Sequence, residues 1–511
     1  MRYEVVIGLE IHAELKTKTK MFCYSLNDPN EKHPNINVCP ICMGHPGTLP
    51  VINEEAVKKV ITVGLALGGE IPEFSQFDRK NYFYPDLPKG YQISQYQHPL
   101  VQGGYLELQI PNPKFQISNK SQIPNSKSET RGIRIQRIHL EEDTGRLIHD
   151  KASGASLVDF NRAGVPLMEL VTEPDLRSGE EVKKFGEELQ RILRYLGASD
   201  ADMEKGQMRV EVNISLRELP TTNDQRPTTL GTKVEIKNIN SFKYAADAVE
   251  YETRRQSELL ERGEKVIQET RGWNEKKQET FSQRSKEEAH DYRYFPEPDL
   301  PPLKISRELV EELRARLPEL PESKKTRLVK EYGLEQGVIE ILIREKSLAD
   351  YFEAVASELM QHDKETPEKS SKNPVAIAAS FLTGDFLRIL NESGAQANDT
   401  RVTAENFAEL VIYFAEEKVS NLTAKQVLEE MFRSGEDPSD IIDRLGLWQM
   451  SDTADLENIA GHIIEENPKA VEDFRRGKEA SLQFLVGQVM KETRGKANPK
   501  VVLEILKKLM S

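Results

Sequence analysis

The sequence predicts an α+β protein: a mainly antiparallel-sheet cradle domain, then a helical domain, then a small all-α tail domain. Up to Pro296, several segments alternate apolar and polar residues with period two, as strands with one buried face do. After Pro296-Glu-Pro-Asp-Leu-Pro-Pro302 the apolar residues recur at helical spacing, for example Leu313 and Leu317, then Ile339, Leu342 and Ile343. From about residue 403 onward the helices become short, as in Phe407-Leu410-Val411-Phe414. The expected domains are therefore 1–297, 298–400 and 401–511.

Composition narrows the class. The 511 residues are 38% hydrophobic and 30% charged, the balance of a soluble globular protein. No run approaches the roughly 18 apolar residues of a membrane span. Met1-Arg-Tyr-Glu-Val-Val6 mixes charge with apolar residues where a signal peptide has a separate apolar block, so a cytoplasmic location is expected. A net charge of −14 excludes a nucleic-acid binder that relies on overall attraction and leaves a local basic patch open.

The first strand spans Tyr3 to Leu15. Val5, Ile7, Leu9, Ile11 and Leu15 share one face, and Glu4, Glu10, His12 and Glu14 share the other. Glu10 and His12 point the same way about 7 Å apart, a pairing suited to a metal, a phosphate or an ordinary polar face. Next come Cys23, Cys39 and Cys42. Three cysteines cannot build a disulfide framework, but Cys-x-x-Cys is half of a tetrahedral zinc site. The position that would complete an upstream Cys-x-Cys is Ser25, a poor ligand, so the choices are zinc held by three thiolates with His33, His45 or water, or three plain thiols.

Asp78 to Gln95 mixes aromatic residues, cations and turn formers too irregularly for a helix and reads as a loop, either site-bearing or plain surface. Between 109 and 131 the chain nearly repeats Gln-Ile-Pro-Asn, is rich in Pro, Asn, Ser and Lys, and is expected to be a disordered insertion without function. Arg137-Ile-His-Leu-Glu-Glu-Asp-Thr-Gly145 follows, closing a strand of Ile133, Ile135, Ile138 and Leu140 on three carboxylates, Glu141, Glu142 and Asp143. Adjacent like charges repel unless neutralised. A hard dication that prefers oxygen is the simplest candidate, and an acidic solvated turn the alternative.

Asn161-Arg-Ala-Gly164 reads as a turn before a strand, and Ser178 with Glu181 as a capping box. The helix it opens aligns Val182, Phe185, Leu189, Ile192, Leu193 and Leu196 and stops at Gly197. Arg209-Val-Glu-Val-Asn-Ile-Ser215 and Lys233-Val-Glu-Ile-Lys-Asn-Ile239 then alternate again, each with one apolar face and one ionisable face. Carboxylates interleaved with lysine and arginine on several strands suit phosphoryl transfer, with metal for the phosphates and cations for the developing charge. No glycine-rich phosphate loop is present, so a bound ATP would need another cradle.

Taken together, Val6-Ile-Gly-Leu-Glu-Ile-His-Ala13, Asp78-Arg-Lys-Asn-Tyr-Phe-Tyr-Pro-Asp86, Ile138-His-Leu-Glu-Glu-Asp143, Asn161-Arg-Ala-Gly-Val-Pro166, Glu235-Ile-Lys-Asn-Ile-Asn-Ser-Phe242 and Asp291-Tyr-Arg-Tyr-Phe-Pro296 closely resemble the B subunit of the tRNA-dependent aspartyl/glutamyl amidotransferases, the GatB family. Phe484-Leu-Val-Gly-Gln-Val-Met-Lys-Glu-Thr-Arg-Gly-Lys-Ala-Asn-Pro499 resembles the end of that family's tail domain. The archaeal relative, GatE, shares the cradle but carries an extra inserted domain for which this chain has no room.

The resemblance implies a heterotrimer in which the A subunit, GatA, releases ammonia from glutamine and the C subunit, GatC, ties the complex together. The GatB component would bind mischarged Glu-tRNA(Gln) or Asp-tRNA(Asn), phosphorylate the side-chain carboxylate with ATP and Mg²⁺, and let ammonia displace the phosphate. It places the catalytic residues at Glu10, His12, Glu141, Glu142 and Glu211, with Mg²⁺ on Glu10 and Glu142. Glu211 stands where the family usually has Asp, which puts its metal contact in question. Lys80 and Tyr82 are implied as site wall or ammonia entry, Zn²⁺ on Cys23, Cys39 and Cys42, and tRNA contacts in the basic tail, including Lys496 and Lys500. The alternative from another class is a non-catalytic tRNA-binding scaffold.

Overall fold

A computed structural model of the chain describes residues 3–111, 128–150, 153–219, 229–285, 292–365, 373–449, 453–493 and 496–510. The chain divides into two compact units, Met1–Leu320 and Pro321–Ser511. The expected α+β class is what the elements show: an antiparallel-rich sheet before Leu320 and helices after it.

In the first unit, β1 (Tyr3–Glu14) leads to α1 (Glu54–Ala66), whose first turn is capped by Asn53 accepting from the backbone of Glu55 and Ala56. Short strands follow: β2 (Phe74–Ser75), β3 (Asp78–Asn81), β4 (Tyr91–Ser94), β5 (Val101–Gln102) and β6 (Tyr105–Pro111). The longer β7 (Ser128–Glu142) precedes the hairpin β8 (Arg146–Asp150) and β9 (Ala155–Asp159), then β10 (Pro166–Thr172) and α2 (Gly179–Tyr195). The unit continues through β11 (Met208–Glu218), β12 (Val234–Ile239), α3 (Phe242–Glu261), β13 (Glu269–Asn274), β14 (Glu279–Ser285), β15 (Phe295–Pro296), β16 (Leu303–Lys304) and α4 (Arg307–Ala315).

Nine of these strands form one sheet in the order β14-β13-β12-β11-β1-β10-β7-β5, with β6 also on β7; only β12 and β13 run parallel. The alternation read from the sequence decides what each face does. Ile7, Leu9 and Ile11 of β1, Val210, Val212 and Ile214 of β11, and Met168 and Leu170 of β10 are all buried, and Val60, Phe185, Leu189 and Val249 from α1, α2 and α3 share their core. Burying each such side chain is worth roughly 1.5–3 kcal/mol. The opposite face keeps its ionisable residues.

β7 needs one device to hold this division. Its buried residues change parity from Ile133 and Ile135 to Ile138 and Leu140, and a bulge between the Thr172↔Ile135 and Val171↔Arg137 pairs absorbs the extra residue. The expected loop at 109–131 is shorter than the sequence suggested. Gln109–Pro111 and Ser128–Thr130 are paired strand ends, because the ladder between β6 and β7 runs on to Pro111↔Ser128; residues 112–127 lie outside the described set. The capping box is half formed: Ser178 accepts from the Glu181 backbone, while the Glu181 carboxylate takes the Arg177 backbone and the Arg131 guanidinium.

Leu313, Leu317 and Leu320 pack on the first unit's core, so the compact body extends past residue 297. The second unit holds two apolar clusters. One runs from Leu328 to Ile442 and includes α5 (Lys346–Glu365) and α6 (Ala404–Ala415), with Tyr351 stacked on Phe386 and edge-on to Phe407. These contacts cross residue 400, and the division between clusters falls between Ile442 and Leu456. The second cluster runs from Leu456 to Met510 and ends on α7 (Pro499–Met510), which buries Val502, Ile505, Leu506 and Met510 and leaves Leu509 exposed. Among the described residues no helix is long and apolar enough to cross a membrane.

Helix packing against the sheet gives a direct test. A methyl group on Gly186 in α2 would lie 2.4 Å from the Phe242 ring. G186A should therefore destabilise by about 1–3 kcal/mol in denaturant titrations. G461A, where nothing stands within 4 Å, should stabilise by up to about 1 kcal/mol. Equal effects of the two changes would contradict the packing described here.

Candidate active site

Strand register assembles the charged face row by row. Across β11, β1, β10 and β7, Arg209 stands opposite His12, His12 opposite Glu169, and Glu169 opposite His139. The next row reads Glu211, Glu10, Val171, Arg137. A smaller sheet of β15, β3 and β4 supplies the facing wall with Lys80, Gln92 and Ser94, joined by Tyr96, Tyr292 and Tyr294. The cleft between them encloses about 390 Å³.

Two clusters in this cleft have metal-ligand geometry. Carboxylate oxygens of Glu10, Glu211 and Glu235 lie within 4.8 Å of one another, as do the ligand atoms of His12, Glu141 and Glu169. Glu10 is fixed by Asn213, which donates to it at 2.8 Å, and the buried Oδ1 of Asn213 has no partner. Lys237 meets Glu211 at 2.6 Å and Glu235 at 3.4 Å. Burial, and then the charges of Glu169 and Glu211, push the Glu10 carboxyl up. Three crowded oxygen donors, one of them strained toward its neutral form, fit a hard dication such as Mg²⁺. The longer Glu211 reaches this cluster.

Glu169 sits between two imidazoles, 3.3 Å from both His12 Nε2 and His139 Nε2. Glu141 lies 4.0 Å from His12 and 3.8 Å from His139 and accepts from Ser94 at 2.9 Å. Burial works against charge here, yet the imidazoles hold Glu169 well below the usual carboxylate range. Burial alone would lower His139, but Glu169 and Glu141 overcome it and raise its pKa to about 9.

The expected pairing of Glu10 with Glu142 on Mg²⁺ is corrected by the structure. Successive residues of a strand face opposite sides, so Glu141 enters the cleft and Glu142 leaves it. Glu142 forms a close ion pair with Lys89 and accepts from the Ile93 backbone at 2.9 Å. Asp143 is bound by Arg162 and by Arg209, the latter at 3.0 Å. The three adjacent carboxylates thus avoid repulsion through three separate sets of partners and not through one shared ion. Lys80 lines the cleft with its ammonium 5.0 Å over the Tyr292 ring, and Tyr82 donates to Gln92 at 3.4 Å.

Sequence reading gave no site role to Glu169 or His139 and placed Glu235 and Lys237 only on the ionisable face of their strand. Glu169 carried a signal: it is a lone charge in the apolar run Pro166-Leu-Met-Glu-Leu-Val-Thr172. Tyr292 and Tyr294 stand in the family-like block Asp291–Pro296, but only tertiary folding brings them over the sheet.

The cysteines form a separate cluster. Sulfurs of Cys23, Cys39 and Cys42 lie within 4.8 Å of one another, and Ser25 Oγ is 3.9 Å from Cys42. Neither His33, paired with Glu31, nor His45 joins them. The fully buried Lys20 places its ammonium 3.7 Å from Cys42. Three thiols fit three corners of a zinc site, with Ser25 at the edge where the fourth sulfur is missing. In the second unit, Lys500 stands 4.0 Å from Glu417 and Lys496 lies beside Gly446.

The raised pKa of His139 fixes the sign of a pH effect. In metal-free protein its charge contributes on the order of 3 kcal/mol of stability, fully present below about pH 6.5 and lost as pH rises through about 9. The melting-temperature gap between wild type and H139N should narrow between about pH 6 and about pH 9.5. A widening gap would contradict the Glu169 contact.

Similarity to known proteins agrees with this geometry. The GatB/GatE catalytic domain family matches residues 5–311, and a second GatB domain family matches 364–510. The B subunit of an aspartyl/glutamyl-tRNA(Asn/Gln) amidotransferase from Caldanaerobacter subterraneus subsp. tengcongensis is 45% identical over 511 residues, all of both chains. The protein of the same name from Carboxydothermus hydrogenoformans is 46% identical over 99% of this chain and 98% of its own. That from Caldicellulosiruptor saccharolyticus is 47% identical over 99% of both. With its full length matched and the acidic cleft inside the matched catalytic domain, this chain belongs to the GatB family.

Proposed function

We propose that this chain is the activating component of a tRNA-dependent amidotransferase acting in the cytoplasm. The single observation that carries the reading is the cleft in which Glu10, Glu211 and Glu235 stand beside His12, Glu141 and Glu169 within a GatB-type catalytic domain. A scaffold has no use for so many ionisable groups facing one space.

The side-chain carboxylate of Glu-tRNA(Gln) or Asp-tRNA(Asn) is a poor acyl donor. Its oxygen attacks the γ-phosphorus of ATP, the bond to ADP breaks, and ADP departs with the electron pair. Ammonia from the glutaminase component then adds to the acyl phosphate, and inorganic phosphate leaves. Glu10, Glu211 and Glu235 would hold Mg²⁺, which when bound would supply charge neutralisation for the nucleotide phosphates. Glu169 keeps His12 and His139 oriented and charged beside the cleft, and Glu141 is fixed by Ser94. Lys80 and Tyr82 form the wall past which ammonia enters, and Glu142 braces β4 against β7 through Ile93 and Lys89.

In this reading residues 1–297 do the chemistry at the tRNA acceptor end, 298–400 link, and 401–511 hold the tRNA body through Lys496 and Lys500. The partners in a heterotrimer are the glutaminase GatA and the connecting protein GatC, and Cys23, Cys39 and Cys42 would hold zinc apart from the reaction.

Purified with those two partners, the chain should convert Glu-tRNA(Gln) or Asp-tRNA(Asn) with ATP and glutamine. E10Q should raise the Mg²⁺ needed for half-maximal rate by about tenfold or more, and E142Q should leave that requirement unchanged. The reverse pattern would reject the ligand assignment. For the tail, neutralising Lys496 and Lys500 together should reduce the salt slope of tRNA binding by up to about two; an unchanged slope would remove them from the interface.

A further inference from the structure

We propose that Arg137 is the residue that stabilises the transferring phosphoryl group, an assignment that rests on the activation reaction above. Four lysine and arginine side chains line the cleft: Lys80, Arg137, Arg209 and Lys237. Three already answer to an acidic or aromatic group. Arg209 is bound to Asp143, Lys237 to Glu211 and Glu235, and Lys80 lies over Tyr292 in the field of Glu141. Arg137 differs: among the described residues it meets no carboxylate, donates from Nη1 only to the neighbouring Gln136 amide, and keeps a buried Nε with no partner. A guanidinium left unpaired in a cleft full of carboxylates has its charge and donors available to an incoming oxyanion.

Register shows which oxyanion. Arg137 stands opposite Val171, and Val171 opposite Glu10. Two strand spacings, about 10 Å, therefore separate the Arg137 backbone from that of Glu10, with only the apolar Val171 between them. The guanidinium and the Glu10–Glu211–Glu235 carboxylates flank one gap on one row of the sheet. When the carboxylate oxygen bonds to the γ-phosphorus and the bond to ADP breaks, negative charge spreads over the equatorial phosphoryl oxygens. A planar fork of N–H donors matches that array, whereas an ammonium offers a single point charge.

The test uses the complete complex with saturating ATP and aminoacyl-tRNA, following ATP-dependent amide formation. R137A should lower kcat by about 10²- to 10³-fold and leave KM for the aminoacyl-tRNA within about threefold of wild type. R137K should recover little, and added guanidinium ion should restore part of the R137A rate, which a merely structural role would not allow. An unchanged kcat, an absence of guanidinium rescue, or a rise confined to the aminoacyl-tRNA KM would each overturn the assignment; the last would give Arg137 to the acceptor carboxylate. A wild-type complex that makes no amide removes the activation reading, and the role of Arg137 with it.

Discussion

A carboxylate held between two imidazoles is the interaction on which the cleft depends. Glu169 lies in the middle of β10, in a strand otherwise apolar, and a buried charge there is tolerable only because His12 and His139 stand opposite it on both neighbouring strands. The pairing ties β1, β10 and β7 together on their polar side, as Ile11, Leu170 and Ile138 tie them on the apolar side. Removing one member would leave a charge uncompensated at the sheet centre. Other acidic residues follow the same rule: Asp143 with Arg162 and Arg209, Glu142 with Lys89, Glu211 with Lys237.

This explains how an acidic chain keeps a cluster of carboxylates facing solvent-accessible space. The sheet is a two-sided partition, with helices α1, α2 and α3 removing one face from water and the register sorting ionisable groups on the other. The cleft therefore sits on strands, whose side chains are positioned more tightly than those of loops. Only the tyrosine and lysine wall comes from loops and short strands, and Arg79 locks that wall through its fork on Glu297 at 2.7 and 2.8 Å.

Much of this was legible from residues alone. Period-two alternation placed Glu10, His12, Arg209 and Glu211 on one face because that periodicity is set by backbone geometry, which tertiary contacts do not alter. The same rule, applied to Glu141 and Glu142, separates them; reading their adjacency as a shared ion neglected it. Strand order was not legible: which strand lies beside β1 depends on long-range pairing, and with it the meeting of His12, Glu169 and His139. The tyrosine wall was hidden for the same reason. Length and helical spacing marked the later helices, but not that Tyr351, Phe386 and Phe407 share one core across residue 400.

The central claim is that remote strands enclose one dication-dependent pocket. Anomalous diffraction from crystals of the complex grown with Mn²⁺ and a non-hydrolysable ATP analogue tests it most directly. The expected result is a strong peak within about 2.3 Å of carboxylate oxygens from Glu10, Glu211 and Glu235, with Glu142 still on Lys89. A peak on Glu142, or none in the cleft while the nucleotide is bound there, would contradict it.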